Sequence, residues 1–206
     1  MAKAFYELLF TDTVRALQEA QGTENLYAEA MRPFAPADNR LGPSEKRFIT
    51  LRDGFYQATL SQSGWPYVQF RGGPRGFLKV LDAETLGYAD YRGNQQYISD
   101  GNLRNDDRVA MILVDYPNSA RLKVMGRARL SEDRDELQKL TDPGYRAKPE
   151  RGVIISVEAF DWNCPQHLPV RLTMEELQPI LEPFQKELAQ LRAENQKLRA
   201  ELEGRA

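Results

Sequence analysis

Two textures of hydrophobic and polar positions divide the chain. Between residues 55 and 159, aromatic and β-branched residues come in short runs, 55–61, 67–71, 77–81, 86–90, 109–116, 122–130 and 153–159, separated by glycine, proline and polar turns. Runs of this length with turn residues between them predict strands, and Ser63-Gly64 predicts the hairpin turn joining the first two. Roughly six or seven such strands predict a small barrel or sandwich, because closure hides edges that short strands would otherwise expose. Residues 101–107 and 131–140 interrupt the alternation and read as helical inserts.

The flanks follow a helical period instead. Residues 4–20 are amphipathic, Thr23 is placed to cap a short helix through Met31, and residues 33–43 are turn-rich. Ser44 is placed as the N-cap of a helix through Arg52, which Gly54 would end in a left-handed conformation. Near the C-terminus, Thr173 and Glu176 have the spacing of a capping box, and Pro179 and Pro183 punctuate the helix before a long uninterrupted stretch.

Leu177, Leu181, Phe184, Leu188, Leu191, Asn195, Leu198 and Leu202 then alternate three and four residues apart, the a/d seam of a coiled coil. Asn195 falls at an a position, where a buried amide favours a parallel two-stranded register. Glu187 and Glu194 at g positions would meet Arg192 and Arg199 at e positions of an identical helix. A helix folding back on its own domain requires neither feature. So short a seam is marginal alone and would extend a dimer formed elsewhere. The expected organisation is a helical extension over 1–43, a β domain over 44–171 and a C-terminal helix over 172–206, pairing as a parallel dimeric coiled coil.

Composition narrows the chemistry. The 206 residues carry 28 Lys+Arg against 30 Asp+Glu, a net charge of −2, so there is no electrostatic footprint for nucleic acid. A single cysteine, Cys164, excludes an internal disulfide framework, and a single histidine, His167, argues against His-rich metal sites. Residues 1–10 lack the pattern of a signal peptide, and the longest apolar run, 109–114, is too short to span a bilayer. The expectation is a cytoplasmic protein without a metal, nucleic-acid or membrane partner.

Three segments carry candidate chemistry. Residues 69–79 combine Arg71, Arg75 and Lys79 with Gly72, Gly73 and Gly76 at a strand-to-strand crossing. Glycine lets backbone amides approach an anion, and arginine forks match phosphate oxygens. On spacing alone the segment reads equally as a basic loop with a tight turn, since it matches neither a Walker loop nor a dinucleotide fingerprint. Residues 90–99, with Asp90, Asn94, Gln95 and Ser99, are dense in hydrogen-bonding groups suited to polar ring edges and hydroxylated chains. A polar turn leading into a helix fits them too. Arg121, opening a strand, is either a third anion or carbonyl donor or a solvated strand end.

These segments converge on a family. Phe55-Tyr56-Gln57-Ala58-Thr59, Gly64-Trp65-Pro66-Tyr67-Val68-Gln69, residues 71–79, Gly101-Asn102-Leu103, Asp107-Arg108-Val109-Ala110 and residues 121–126 resemble the FMN-binding split β-barrel proteins related to pyridoxamine 5′-phosphate oxidase. Residues 161–167, with Trp162, Gln166 and His167, add a similar closing signature. The resemblance implies a mainly β, α+β chain: a six-stranded split antiparallel β-barrel with N-terminal helices, two FMN sites lying between the protomers of a homodimer.

By position it implies that Gly76, Phe77, Leu78 and Lys79 run beside the flavin. Lys79 would lie near its reactive edge or ribityl chain, and Arg71 and Arg75 would address the phosphate. Asp90, Asn94, Gln95 and Ser99 would meet ribityl and phosphate oxygens, Arg121 a pyrimidine carbonyl or the phosphate, and Trp162 would close the cleft as a lid.

The chain also departs from the pattern. Asn94-Gln95-Gln96 replaces the Ser-Arg-Lys run of pyridoxamine phosphate oxidases, their C-terminal substrate-binding arginine and histidine have no equivalent, and Phe70 stands where relatives carry histidine. The implied function is an FMN-dependent oxidoreductase of unassigned substrate, with a small-molecule electron donor or acceptor and no assigned catalytic residue. The alternative is a non-catalytic FMN sensor or carrier that docks a partner through its tail. A third reading replaces FMN with haem or a deazaflavin, and the single histidine disfavours haem.

Overall fold

The computed structural model describes residues 3–32, 39–164 and 166–204. Contacts divide the chain into two compact units, one of residues 1–115 and 119–166, the other of residues 116–118 and 167–206.

The first unit is built on seven strands, β1 (Gly54–Leu60), β2 (Pro66–Gly72), β3 (Lys79–Val80), β4 (Thr85–Tyr91), β5 (Arg108–Asp115), β6 (Ala120–Ser131) and β7 (Pro149–Asn163). All neighbouring pairs are antiparallel, in the order β2-β1-β5-β6-β7-β4-β3. Alternation fills the interior: Phe55, Tyr88, Met111, Leu113, Leu122, Val124, Val153, Ile155 and Val157 join one buried cluster. The predicted strand over 77–81 shrinks to the two residues of β3, because Phe77 and Leu78 dive into this core.

Helices cover the barrel unevenly. The predicted helix over 4–20 breaks into α1 (Lys3–Leu9) and α2 (Asp12–Ala20), because Thr11 leaves the helix and caps α2, its Oγ1 accepting from Val14 N at 3.4 Å. A 3₁₀ turn, Glu24–Tyr27, replaces the helix expected after Thr23, whose side chain caps nothing. Part of the turn-rich stretch, residues 33–38, lies outside the described residues. Helix α3 (Pro43–Thr50) starts two residues before expectation, with Gly42 rather than Ser44 at its N-cap, and Leu51 is its C-cap. Gly54 does not terminate it; it opens β1 beneath the Phe70 ring, where a Cβ would stand 2.2 Å from Cζ. The helical inserts appear as α4 (Ile98–Asn105) and α5 (Arg134–Leu140).

A bulge explains where the sequence reading of β7 stopped. Met125 pairs with Ala159 but Gly126 pairs with Val157, so Glu158 is skipped and the inward phase switches from Val153, Ile155 and Val157 to Phe160. Ala159 therefore points outward and is buried against Phe5 of α1. Gly126 is required here, because a Cβ would lie 2.4 Å from the carbonyl oxygen of Ser156. We expect Gly126→Ala to force β6 and β7 apart and cost at least about 2 kcal/mol, read as a fall in the urea midpoint; an unchanged midpoint would refute this reading of the bulge.

On the outer face, Leu140 of α5 packs on Ala89 and Ile154, and α1 covers Ala159 and Met125. The rows Val68-Ala58-Ala110 and Phe70-Tyr56-Ile112, aligned across β2, β1 and β5, have no helix of this kind over them among the described residues. Val68 and Phe70 are 60% and 57% exposed.

The second unit holds α6 (Met174–Glu203). Its capping box forms as the sequence predicts: Thr173 Oγ1 accepts from Glu176 N at 3.2 Å, and Glu176 Oε2 accepts from Thr173 N at 2.9 Å. The helix runs through both prolines without a break. No helix among the described residues is long and apolar enough to cross a membrane.

Candidate functional site

The barrel is split along one seam. Strand β2 ends the backbone ladder, and β4 has a neighbour on that side only at Leu86 and Gly87, where β3 pairs. Side chains bridge the gap instead. Arg71 of β2 donates to Asp90 Oδ1 of β4 at 2.6 Å, and Ser99 of α4 donates to Gln69 Oε1 at 2.9 Å. Deeper in, Asn102 donates to Thr59 Oγ1 and the Tyr88 hydroxyl donates to Gln57 Oε1, both at 2.9 Å.

Over this seam lies a polar cleft. Tyr67, Gln69 and Arg71 form one wall, Asp90 and Tyr91 the other, residues 93–97 and the start of α4 the rim, and Glu150 one corner. The alternation of β2 sets Tyr67, Gln69 and Arg71 on one face. The rim is a tight loop in which Gln95 and Tyr97 adopt left-handed backbone, with φ of 61° and 52°.

The floor is an ion network. Arg151, directly opposite Asp90 in the β4–β7 register, pairs with Asp100 at 2.6 Å and Glu150 at 3.4 Å and lies 3.8 Å from Asp90. Arg92 pairs with Glu150 at 2.6 Å and holds that carboxyl below its usual range. Arg104 reaches Asp100 at 3.4 Å and Glu132 at 3.6 Å, so four arginines face four carboxylates. Burial pushes Asp90 above the usual carboxylate pKa despite the opposing pull of Arg71 and Arg151, and burial pushes the Tyr88 phenol up to about 12. The network leaves capacity over: Arg71 Nε and Arg151 Nε are buried without a hydrogen-bond partner.

Of the residues singled out from sequence, the structure brings Arg71, Asp90, Asn94, Gln95 and Ser99 to this cleft. Six others lie elsewhere, as does Arg75, which is exposed on the loop after β2. Gly76 makes a turn: it has φ of 79°, and its amide donates to Arg52 O at 2.9 Å. Phe77 and Leu78 are core residues, leaving only backbone to face a ligand. Lys79 is held by Asp142 and by the carbonyl of Gly76. Arg121 clamps the segment after β7 by donating to the carbonyls of Cys164 and Gln166.

Trp162 is not part of a lid after the last strand. It lies within β7 opposite Leu122, its Nε1 donates to Glu45 Oε1 at 2.8 Å, and its ring packs edge-on against Phe48.

Sequence reasoning missed Gln69, Asp100, Glu150 and Arg151. Period-two alternation from Arg71 points to Gln69. Arg151 gave no signal, because the run beginning at Val153 appeared to start the strand.

Comparison with known proteins decides the family. The model of the pyridoxamine 5′-phosphate oxidase family matches residues 43–158, more than half of the chain. The chain belongs to this family. Among the curated proteins none matches. Among solved structures, a HupZ variant from Group A Streptococcus superposes with a TM-score of 0.50 at 17% identity, covering 60% of this chain and 99% of that one. A Lactobacillus delbrueckii protein described as a putative pyridoxamine 5′-phosphate oxidase gives 0.47 at 22%, covering 60% and 94%. An FMN-binding protein from Syntrophomonas wolfei gives 0.45 at 9%, covering 71% and 97%. The pyridoxamine 5′-phosphate oxidase match and the barrel agree on a split barrel of the α+β class.

The cleft suits part of a flavin nucleotide. Its free Arg71 Nε and the amides and hydroxyls of Gln69, Asn94, Gln95 and Tyr67 match a phosphate and a hydroxylated chain. Its cavity volume is about 50 Å³. At about 10–15 Å³ per water, that admits a phosphate or a few hydroxyls but not three fused rings.

Proposed function

We propose that the chain is an FMN-binding flavoprotein acting as an FMN-dependent oxidoreductase on a small-molecule electron donor or acceptor. The observation that carries this reading is the polar cleft over the barrel split, where Arg71, Asp90, Asn94, Gln95 and Ser99 meet around buried, unsatisfied guanidinium nitrogen. Arg71, Gln95 and Asn94 would hold the phosphate and ribityl chain. When bound, FMN supplies the redox chemistry by accepting hydride or electrons. This chain supplies orientation, and the arginine–carboxylate floor keeps the cleft's net charge near zero.

Because the cleft is too narrow for the isoalloxazine, the ring needs apolar surface beyond it. The exposed rows of β2, β1 and β5 offer such surface, and pairing them with a second copy would yield a homodimer with flavin between protomers. The protein is assigned to the cytoplasm, without nucleic-acid or membrane partners.

The test is the visible spectrum of the purified protein, with released cofactor identified by chromatography after denaturation. Flavin bands with FMN near one per chain are expected, and turnover with a nicotinamide donor and oxygen or a dye separates an oxidoreductase from a carrier or sensor. A colourless protein that fails to quench added FMN would overturn the reading.

A further inference from the structure

Helix α6 runs unbroken over 30 residues, about 45 Å at the usual helical rise. Its apolar seam is exposed: Phe184 is 64% exposed, Leu191 55% and Leu202 68%. With Leu181, Leu188, Asn195 and Leu202 at a and Leu177, Phe184, Leu191 and Leu198 at d, every other feature of the helix takes a place in one heptad frame.

Pro179 falls at f and Pro183 at c, both on the face away from the seam. Each proline frees a carbonyl one turn back on the side open to water, so the helix passes through both without leaving a dry, unsatisfied group. A proline bend is also convex on the proline's side, which curves the helix toward its seam, as supercoiling requires.

The charges divide in the same way. Lys186 pairs with Glu182 at 2.8 Å along the outer face, and Lys197 lies 4.0 Å from Glu201. Glu187, Arg192, Glu194 and Arg199, which flank the seam, make no ion pair among the described residues.

We infer that α6 pairs with α6 of a second copy of this chain as a parallel, in-register, two-stranded coiled coil over residues 177–202. In that arrangement Glu187 meets the other helix's e-position arginine at 192, Glu194 meets the one at 199, and the two Asn195 amides bond across the axis. The antiparallel arrangement sets g against g and e against e, which places glutamates opposite glutamates and arginines opposite arginines. Charge alone therefore selects the parallel form. Three and a half heptads with two proline-bearing turns give modest affinity, so the coil reinforces an existing dimer. This inference is independent of flavin binding.

Disulfide trapping in the full-length chain tests it. In a Cys164→Ser background, Leu198→Cys places a thiol at a d position, and Ala193→Cys places one at f. Mild oxidation with diamide should link Leu198→Cys chains into covalent dimers at least about tenfold faster than Ala193→Cys chains, because in a parallel coil the seam positions a and d face their own copies and f positions do not. Adding Glu187→Arg with Glu194→Arg should slow the Leu198→Cys reaction by about tenfold, and further adding Arg192→Glu with Arg199→Glu should restore it. Circular dichroism checks that each variant keeps its helix. A Leu198→Cys chain that stays unlinked while the protein is dimeric would overturn the coil and leave the barrel dimer standing, as would equal linking at both sites or indifference to the charge reversals.

Discussion

Arg71→Met should lose both bound flavin and fold stability, while Arg71→Met with Asp90→Leu should recover the stability and not the flavin. Arg71 and Asp90 are 15% and 13% exposed, and their 2.6 Å contact is one of the few links across the barrel split. Removing the cation alone leaves a carboxylate in a site that already penalises its charge, a change that costs about 3–5 kcal/mol when a buried pair is broken from one side. Replacing both with apolar residues removes that penalty, so the double variant should return to within about 1 kcal/mol of the parent in urea.

Flavin binding, by contrast, should weaken about tenfold to a hundredfold in both variants, the worth of one or two charged hydrogen bonds. The single variant carries a pH signature as well. Asp90 in the parent already has its pKa raised by burial, with Arg71 opposing; without Arg71 it should rise further. A raised folded-state value means that Asp90's contribution is fully present below its ordinary pKa of about 3.9 and is lost as pH climbs through the folded value. The deficit of Arg71→Met should therefore be larger at pH 8 than at pH 5. A deficit that is the same at both, or a double variant that binds FMN like the parent, would show that this pair does not serve the cleft.

The parts of this architecture that rest on local pattern could be read before any coordinates. Seven runs of strand-like residues lie where seven strands form, and Thr173 with Glu176 caps the helix it was expected to cap. What could not be read depended on contacts between distant segments. The bulge at Glu158 breaks the period-two phase, so Phe160 and Trp162 looked like a loop although they extend β7. Phe77 and Leu78 carry a strand-like signature because they are core residues, and nothing local distinguishes a core-filling loop from a strand.

The candidate site shows the same division. Arg71, Asp90, Asn94, Gln95 and Ser99 line one cleft. The glycines at 73 and 76 looked like an anion cradle, yet they are explained by crowding, since a Cβ on Gly73 would stand 2.6 Å from the Phe77 ring and one on Gly76 3.0 Å from Thr50 O. Arg151 and Asp100, which complete the floor, lie roughly fifty residues apart with no motif linking them, and only the β4–β7 register brings Arg151 opposite Asp90.

Val68→Glu should separate the proposed barrel dimer while leaving each barrel folded. The side chain projects outward from an edge strand and is 60% exposed, so in an isolated chain a polar replacement changes stability by no more than about 0.5 kcal/mol. In the proposed dimer it sits beside the groove lined by Tyr56, Ala58, Ala110 and Ile112, with Phe5 and Leu9 of α1 on the far bank. A two-fold axis would bury two such glutamates in apolar surroundings, and desolvated charges without partners cost several kcal/mol, enough to weaken association at least about a hundredfold.

The tail must be silenced to see this, so the comparison belongs in chains that also carry Leu188→Glu and Leu198→Glu. In that background the mass by light scattering should fall from two chains to one when Val68→Glu is added, and bound FMN should fall with it, because the ring loses the apolar wall that the narrow cleft of about 50 Å³ does not supply. If the background chain is already monomeric, dimerisation resides in α6; if Val68→Glu remains dimeric with FMN bound, the interface lies on another face of the barrel.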